Sequence, residues 1–147
     1  MAKPFSEPAP NTRNIGGVSN VIGGRLSFTI LPGGLHPPIV LWCLDNNSDL
    51  FNEISIKDKY IFNFLSLDQI NLATKLAVKE NHDFKSIDHI DNDYGPIIKQ
   101  SLGWISCSKK ESINVGDHLI IIGSVNDFEI FDNNKKPLIF WSGNYQI

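Results

Sequence analysis

The side chains able to do chemistry in this 147-residue chain are few, with four histidines and two cysteines among them. Cys43 and Cys107 both fall in apolar, strand-like runs, the composition around buried free thiols and not around a disulfide framework. His82 and His89 lie in or near the run Asp88-His89-Ile90-Asp91-Asn92-Asp93. The acidic spacing there does not register on Gly95 as a calcium loop requires, and neither histidine has a second matching pair or a nearby cysteine. A solvated loop is the reading. His118 differs in its setting, because Gly116-Asp117-His118 opens an apolar run, Leu119 to Ile122, that leads to Gly123-Ser124-Val125. A histidine at a strand start either satisfies a local hydrogen bond or faces a ligand, and the residues leave both open.

The motifs of several enzyme classes are missing. The chain has no G-x-G-x-x-G after a strand, no G-x-x-x-x-G-K-[ST] and no G-x-S-x-G. A Rossmann domain, a P-loop enzyme and an α/β-hydrolase are therefore disfavoured. A net charge of −3 and the lack of a Lys/Arg stripe argue against a nucleic-acid partner. With 41% hydrophobic and 20% charged residues the composition is that of a globular protein. No apolar run approaches the roughly 18 residues of a membrane span, and the N-terminus has no signal-peptide core, so no membrane partner and a cytoplasmic location are expected. The sequon Asn46-Asn47-Ser48 carries no meaning without secretion.

The elements that must position these residues are mostly strands. Met1–Asn14, with Pro4, Pro8 and Pro10, reads as an irregular arm, and residues 15–147 as one domain. Val18–Ile22 and Arg25–Ile30 flank a Gly23-Gly24 hairpin turn. Pro37 and Pro38 lead into a strand from Ile39 to Leu44. A loop and short helix follow over 46–56, with Asn47 or Ser48 as cap, and then a strand Tyr60–Leu65. Ser66 and Gln69 have capping-box spacing ahead of an amphipathic helix to about Lys79. Residues 81–94 form a polar excursion with one short strand. Two long strands, Ile97–Ser108 and Asp117–Phe128, enclose Lys109–Gly116, whose composition is that of a turn. A last strand, Pro137–Trp141, ends at Ser142–Tyr145. Trp42, Trp104 and Trp141 are expected in the core or as dimer-interface anchors. Many strands with one clear helix predict a mainly β, antiparallel barrel with helical additions.

The ordered set Gly95-Pro96, Trp104 to Cys107, Gly116-Asp117-His118 and Gly123-Ser124-Val125 resembles the flavin reductase-like family, the FMN-binding split barrels. Pro37-Pro38 with the strand Ile39–Cys43, the run Asn63 to Gln69, and Pro137-Leu138 with Gly143 and Tyr145 extend the resemblance from about Gly17 to Tyr145. It implies an antiparallel split β-barrel, a homodimer, and flavin held near the subunit interface. It further implies an NAD(P)H-dependent flavin reductase that passes a hydride from NADH or NADPH to FMN or FAD and supplies reduced flavin to a monooxygenase component. In such chemistry the isoalloxazine accepts the hydride, so the protein need only bind, orient and tune it.

Carried over by position, the resemblance makes His118 the residue facing flavin and nicotinamide. Ser27, Phe28, Thr29, Gly33, Gly34, Ser48, Asn63, Ala77 and Tyr145 become the cofactor-binding set. Within Gly24–Pro38 the family's hydroxyls are largely replaced: Leu26 stands for a threonine, Phe28 and Thr29 for two serines, and Gly34 for a later serine. Ser27, Thr29 and the amides of Gly33 and Gly34 remain to bind an anion, with Arg25 either a phosphate partner or an exposed strand residue. The family's aromatic wall is lost at Leu76-Ala77. These departures keep a second reading open, a non-catalytic flavin-binding or degenerate split-barrel module. For Ser48 the bland role is a helix cap, for Asn63 a structural hydrogen bond, and for Tyr145 an aromatic lid on the core.

Overall fold

The computed structural model describes residues 28–31 (backbone), 38–78, 84–131 and 134–146. The N-terminal arm, the Gly23-Gly24 hairpin, Ser27, Gly33, Gly34 and the expected helix end at Lys79 lie outside the described residues. A five-stranded antiparallel sheet in the order β1-β2-β7-β6-β3 curls into a half-barrel. It comprises β1 (Phe28–Leu31), β2 (Ile39–Asp45), β3 (Lys59–Phe64), β6 (Gly103–Val115) and β7 (His118–Ile130). Two small ribbons accompany it, β4 (His89–Ile90) with β5 (Ile97–Ile98), and β8 (Ile139–Trp141) with β9 (Asn144–Gln146). Helix α1 (Phe51–Ile56) follows β2, and α2 (Ile70–Leu76) follows β3.

Strand β2 alternates as its period of two dictates, with Val40, Trp42 and Leu44 turned into the barrel. Tyr60 and Phe62 of β3 meet them there, their rings edge-on to Trp42 at 4.7 and 5.0 Å between centroids. Cys107, Leu119, Ile121 and Val125 complete this cluster. A Cβ at Gly123 would lie 3.2 Å from both the Cys107 sulfur and the Trp42 ring, so a larger residue there would press these core side chains aside. A second cluster joins Leu65, Ala73, Leu76, Ile98 and Leu138, with Tyr145 packed against it. The expected capping box is present at Ser66 and Gln69, ahead of a 3-10 turn that feeds α2.

Three expectations are corrected. Lys109–Val115 is strand, not turn; the chain reverses only at Gly116-Asp117, between Val115 and His118. Gly116 takes φ +59 at the first turn position, which suits a two-residue hairpin with glycine there. The strand expected over Ile97–Ser108 is split, because Lys99–Leu102 bends away with Gln100 at φ 62. Of the two places expected for the tryptophans, Trp141 is not in the core; it is 71% exposed on a two-stranded ribbon, which leaves the interface role as its expectation, while Trp42 and Trp104 are buried. The cap of α1 is Leu50 without a side-chain bond, although the Leu50 amide donates to Ser48 Oγ at 3.3 Å.

Cys43 and Cys107 are free thiols. Burial pushes the Cys107 thiol from 9.0 up to about 12. Burial, with the Cys107 and Asp58 charges adding, pushes its strand partner Tyr60 from 10.0 up to about 12. The native state therefore keeps two protons that the unfolded chain releases above pH 9 to 10. Stability is unaffected below that range and falls as pH rises toward 12, by up to about 1.4 kcal/mol per pH unit for the buried thiol and by less for the part-buried phenol. Urea midpoints measured from pH 8 to 11 should fall, and Cys107→Ala should move the onset toward the phenol's 10; a flat profile in both proteins would contradict this account.

Candidate functional site

The long β6–β7 hairpin has two ends, and the residues singled out by sequence divide between them. At one end His118 opens β7, opposite Asp45 on β2 and Val115 on β6. Its Nδ1 lies 2.7 Å from Asp117 Oδ1. That contact, first among the causes, holds the Asp117 carboxyl below its usual range. The Asn46 amide donates to the Asp117 carbonyl at 2.9 Å, and the Ser48 amide to the Asp45 carbonyl at 3.0 Å. Ser48 and His118 are thus brought to the same barrel end by the pairing of β2 with β7. Ser48 also serves α1, its carbonyl accepting from the Phe51 amide at 3.0 Å.

Asn63, Ala77 and Tyr145 belong to the other end. Asn63 on β3 sits opposite Trp104, which in turn faces Glu129. At about 3.3 Å per residue, Glu129 lies roughly 35 Å along β7 from His118. The Asn63 side chain is 9% exposed and already engaged. Its Oδ1 accepts from the Ile98 amide at 2.8 Å, and its Nδ2 donates to the Pro96 carbonyl at 3.1 Å. These two bonds are the structural role open to Asn63. Ala77 is the exposed C-cap of α2. Tyr145 covers the second core cluster, its ring edge-on to Phe140 at 5.1 Å, and burial raises its phenol pKa. Phe28 and Thr29 pair with Trp42 and Leu41, midway along the sheet.

His118 stands on the outer face of a strand whose sequence reads as apolar on both sides. Residues directly opposite in an antiparallel pair share a face. By that rule Leu41, Cys43, Ile113, Val115, Ile120 and Ile122 lie with His118 on the outer side of the sheet, together with the carboxylates Asp45 and Glu111. The outside of an isolated antiparallel sheet is normally polar. The near-continuous apolar run Leu119–Ile122 was the signal for two apolar faces. Apolar surface beside a few convergent polar groups is also what one wall of a heteroaromatic cofactor site requires, so the residues present fit such a wall. His118, Ser48 and the neighbouring Asp117 supply the polar rim. Among the described residues no cluster of His, Cys, Asp or Glu could hold a metal ion, and no helix is long and apolar enough to cross a membrane.

A curled antiparallel half-barrel carrying a Gly-Asp-His turn on an apolar outer face places this chain among the split barrels. The family model of the flavin reductase like domain matches residues 27–147, and the chain belongs to that family. It is 32% identical over 120 residues to a flavin reductase of Pseudomonas putida, a match covering 81% of this chain and 69% of that one. It is 31% identical over 121 residues to HsaB, the reductase subunit of a flavin-dependent monooxygenase of Mycobacterium tuberculosis, covering 81% and 64%. A nitrilotriacetate monooxygenase component B homologue from Mycobacterium thermoresistibile superposes with a TM-score of 0.74 at 29% identity, over 88% of this chain and 73% of that one. The chain thus spans about two thirds of the length of the curated relatives it matches.

Proposed function

We propose that this protein is an NAD(P)H-dependent flavin reductase that supplies reduced FMN or FAD to a monooxygenase component. The observation that carries the reading is the His118 turn standing on an apolar sheet face, in a chain whose residues 27–147 match the reductase family. The relatives named as reductase subunits of monooxygenases support the partner. Bound flavin supplies the hydride acceptor. The chain's own part is to hold the ring against the outer face of β2 and β7, exclude water there, and present the His118 imidazole at its rim.

A homodimer accounts for two facts at once. It would cover apolar outer-face residues, and it would let one subunit's His118 end approach the other's Asn63–Tyr145 end, which within one chain stand far apart. Light scattering of the purified protein tests this part. Flavin titration followed by NADH addition tests the reaction, with saturable binding and loss of NADH absorbance expected. His118→Ala should lower kcat/KM for NADH roughly thirtyfold, with the fold intact by circular dichroism. If the wild-type chain binds flavin without consuming NADH or NADPH, a non-catalytic flavin-binding module replaces this reading.

A further inference from the structure

We infer that Asp117 is a positioning residue that fixes the orientation and tautomer of His118. The inference deepens the reductase reading and, for its kinetic consequence, rests on it. The Asp117 carboxylate, 80% exposed, accepts from His118 Nδ1 at 2.7 Å. Asp117 is held through its carbonyl by the Asn46 amide, and His118 by its place in the sheet between Asp45 and Val115. The dyad therefore stands at the rigid end of two paired strands, where a two-residue turn leaves its backbone little choice.

The chemical consequence follows from the acceptor-only nature of a carboxylate. A neutral imidazole bonded to it carries its hydrogen on Nδ1, which leaves the Nε2 lone pair outward. The cationic imidazole keeps the same bond and presents Nε2–H instead. Nε2 has no hydrogen-bond partner among the described residues, and the side chain is only 37% exposed. Asp117 thus leaves the free nitrogen, and not the bonded one, to meet whatever docks on the apolar face. The residues facing His118 from the neighbouring strands are Asp45 and Val115, so Asp117 and Asp45 are the acidic groups at this end of the pairing.

Asp117→Asn tests the assignment, because the side-chain amide keeps the size of the residue and can donate to Nδ1. Imidazole nitrogen chemical shifts of the neutral ring in the flavin-free protein should show the Nδ1–H tautomer in the wild type and a shift toward Nε2–H in Asp117→Asn. With flavin and NADH present, kcat should fall about tenfold while KM for NADH changes little. An Nε2–H wild type, an unchanged tautomer, or an unchanged kcat in an active enzyme would overturn the inference. A wild-type chain that does not reduce flavin would overturn the reductase reading instead, and the nitrogen shifts alone would then decide the role of Asp117.

Discussion

Asn63→Ala should destabilise the flavin-free protein by about 3 kcal/mol, lowering its urea midpoint by about 1.5 M for a slope near 2 kcal/mol/M. The magnitude follows from what the amide satisfies. Ile98 is 1% exposed, and its backbone N–H has Asn63 Oδ1 as its acceptor. Removing that acceptor strands a buried donor, and the Pro96 carbonyl loses its bond from Nδ2. Each orphaned group costs about 1–3 kcal/mol, more where water cannot reach. The loss falls on the segment that carries β5 beside β3, so amide exchange should quicken first at Ile97 and Ile98. The same variant separates the two roles open to this residue. A flavin-contacting asparagine would weaken flavin binding and leave the apo midpoint in place. A midpoint lowered by less than about 0.3 M would rule the clamp out.

That ambiguity shows how far the sequence could be read. Position 63 lies in a recognisable strand, but the partners of its amide are more than thirty residues away, at Pro96 and Ile98. Nothing local distinguishes a strand asparagine that clamps a neighbouring loop from one that meets a cofactor. The capping box at Ser66 and Gln69 was legible because both partners lie within one turn. Lys109–Val115 misleads for a different reason. Its charged and polar side chains report exposure, and this part of β6 is exposed because β3 stops at its pairing with Ser108, leaving one strand neighbour. Its conformation is set by β7, which pairs it as far as Val115–His118. Ile113 and Val115 alternating with Ser112 and Asn114 were the available sign of a strand. The Asp117–His118 pair was visible as a dipeptide. Its geometry depends on the turn and on β2, and no spacing in the sequence encodes that.

Gly103→Ala should cost about 3 kcal/mol and unfold the sheet from the end that carries Asn63. A Cβ built at Gly103 would stand 2.2 Å from the Glu129 carbonyl oxygen and 3.1 Å from Ile130 Cα. Both are backbone atoms of the paired strand, so no side-chain rotation relieves the clash. Either β6 or β7 must move, and overpacking at such a site typically costs 1–3 kcal/mol or somewhat more. The neighbouring contacts make that movement consequential. Gly103 pairs with both Phe64 and Ile130, the Leu102 amide donates to the Phe64 carbonyl at 2.7 Å, and the Phe131 amide donates to the Leu102 carbonyl at 2.8 Å. A shift there disturbs β3, β6 and β7 together. Gly116→Ala provides the contrast. Nothing lies within 4 Å of its built Cβ, and the cost is only that of a left-handed alanine, about 1–2 kcal/mol. Thermal and urea unfolding of the two variants should therefore rank Gly103→Ala as the more damaging. Amide exchange should quicken at Leu102 and Phe131 in Gly103→Ala while the His118 end stays protected, because β2 continues to hold β7 there. Equal damage from the two substitutions, or loss of protection beginning at His118, would mean that steric contact with Glu129 is not what requires glycine at position 103.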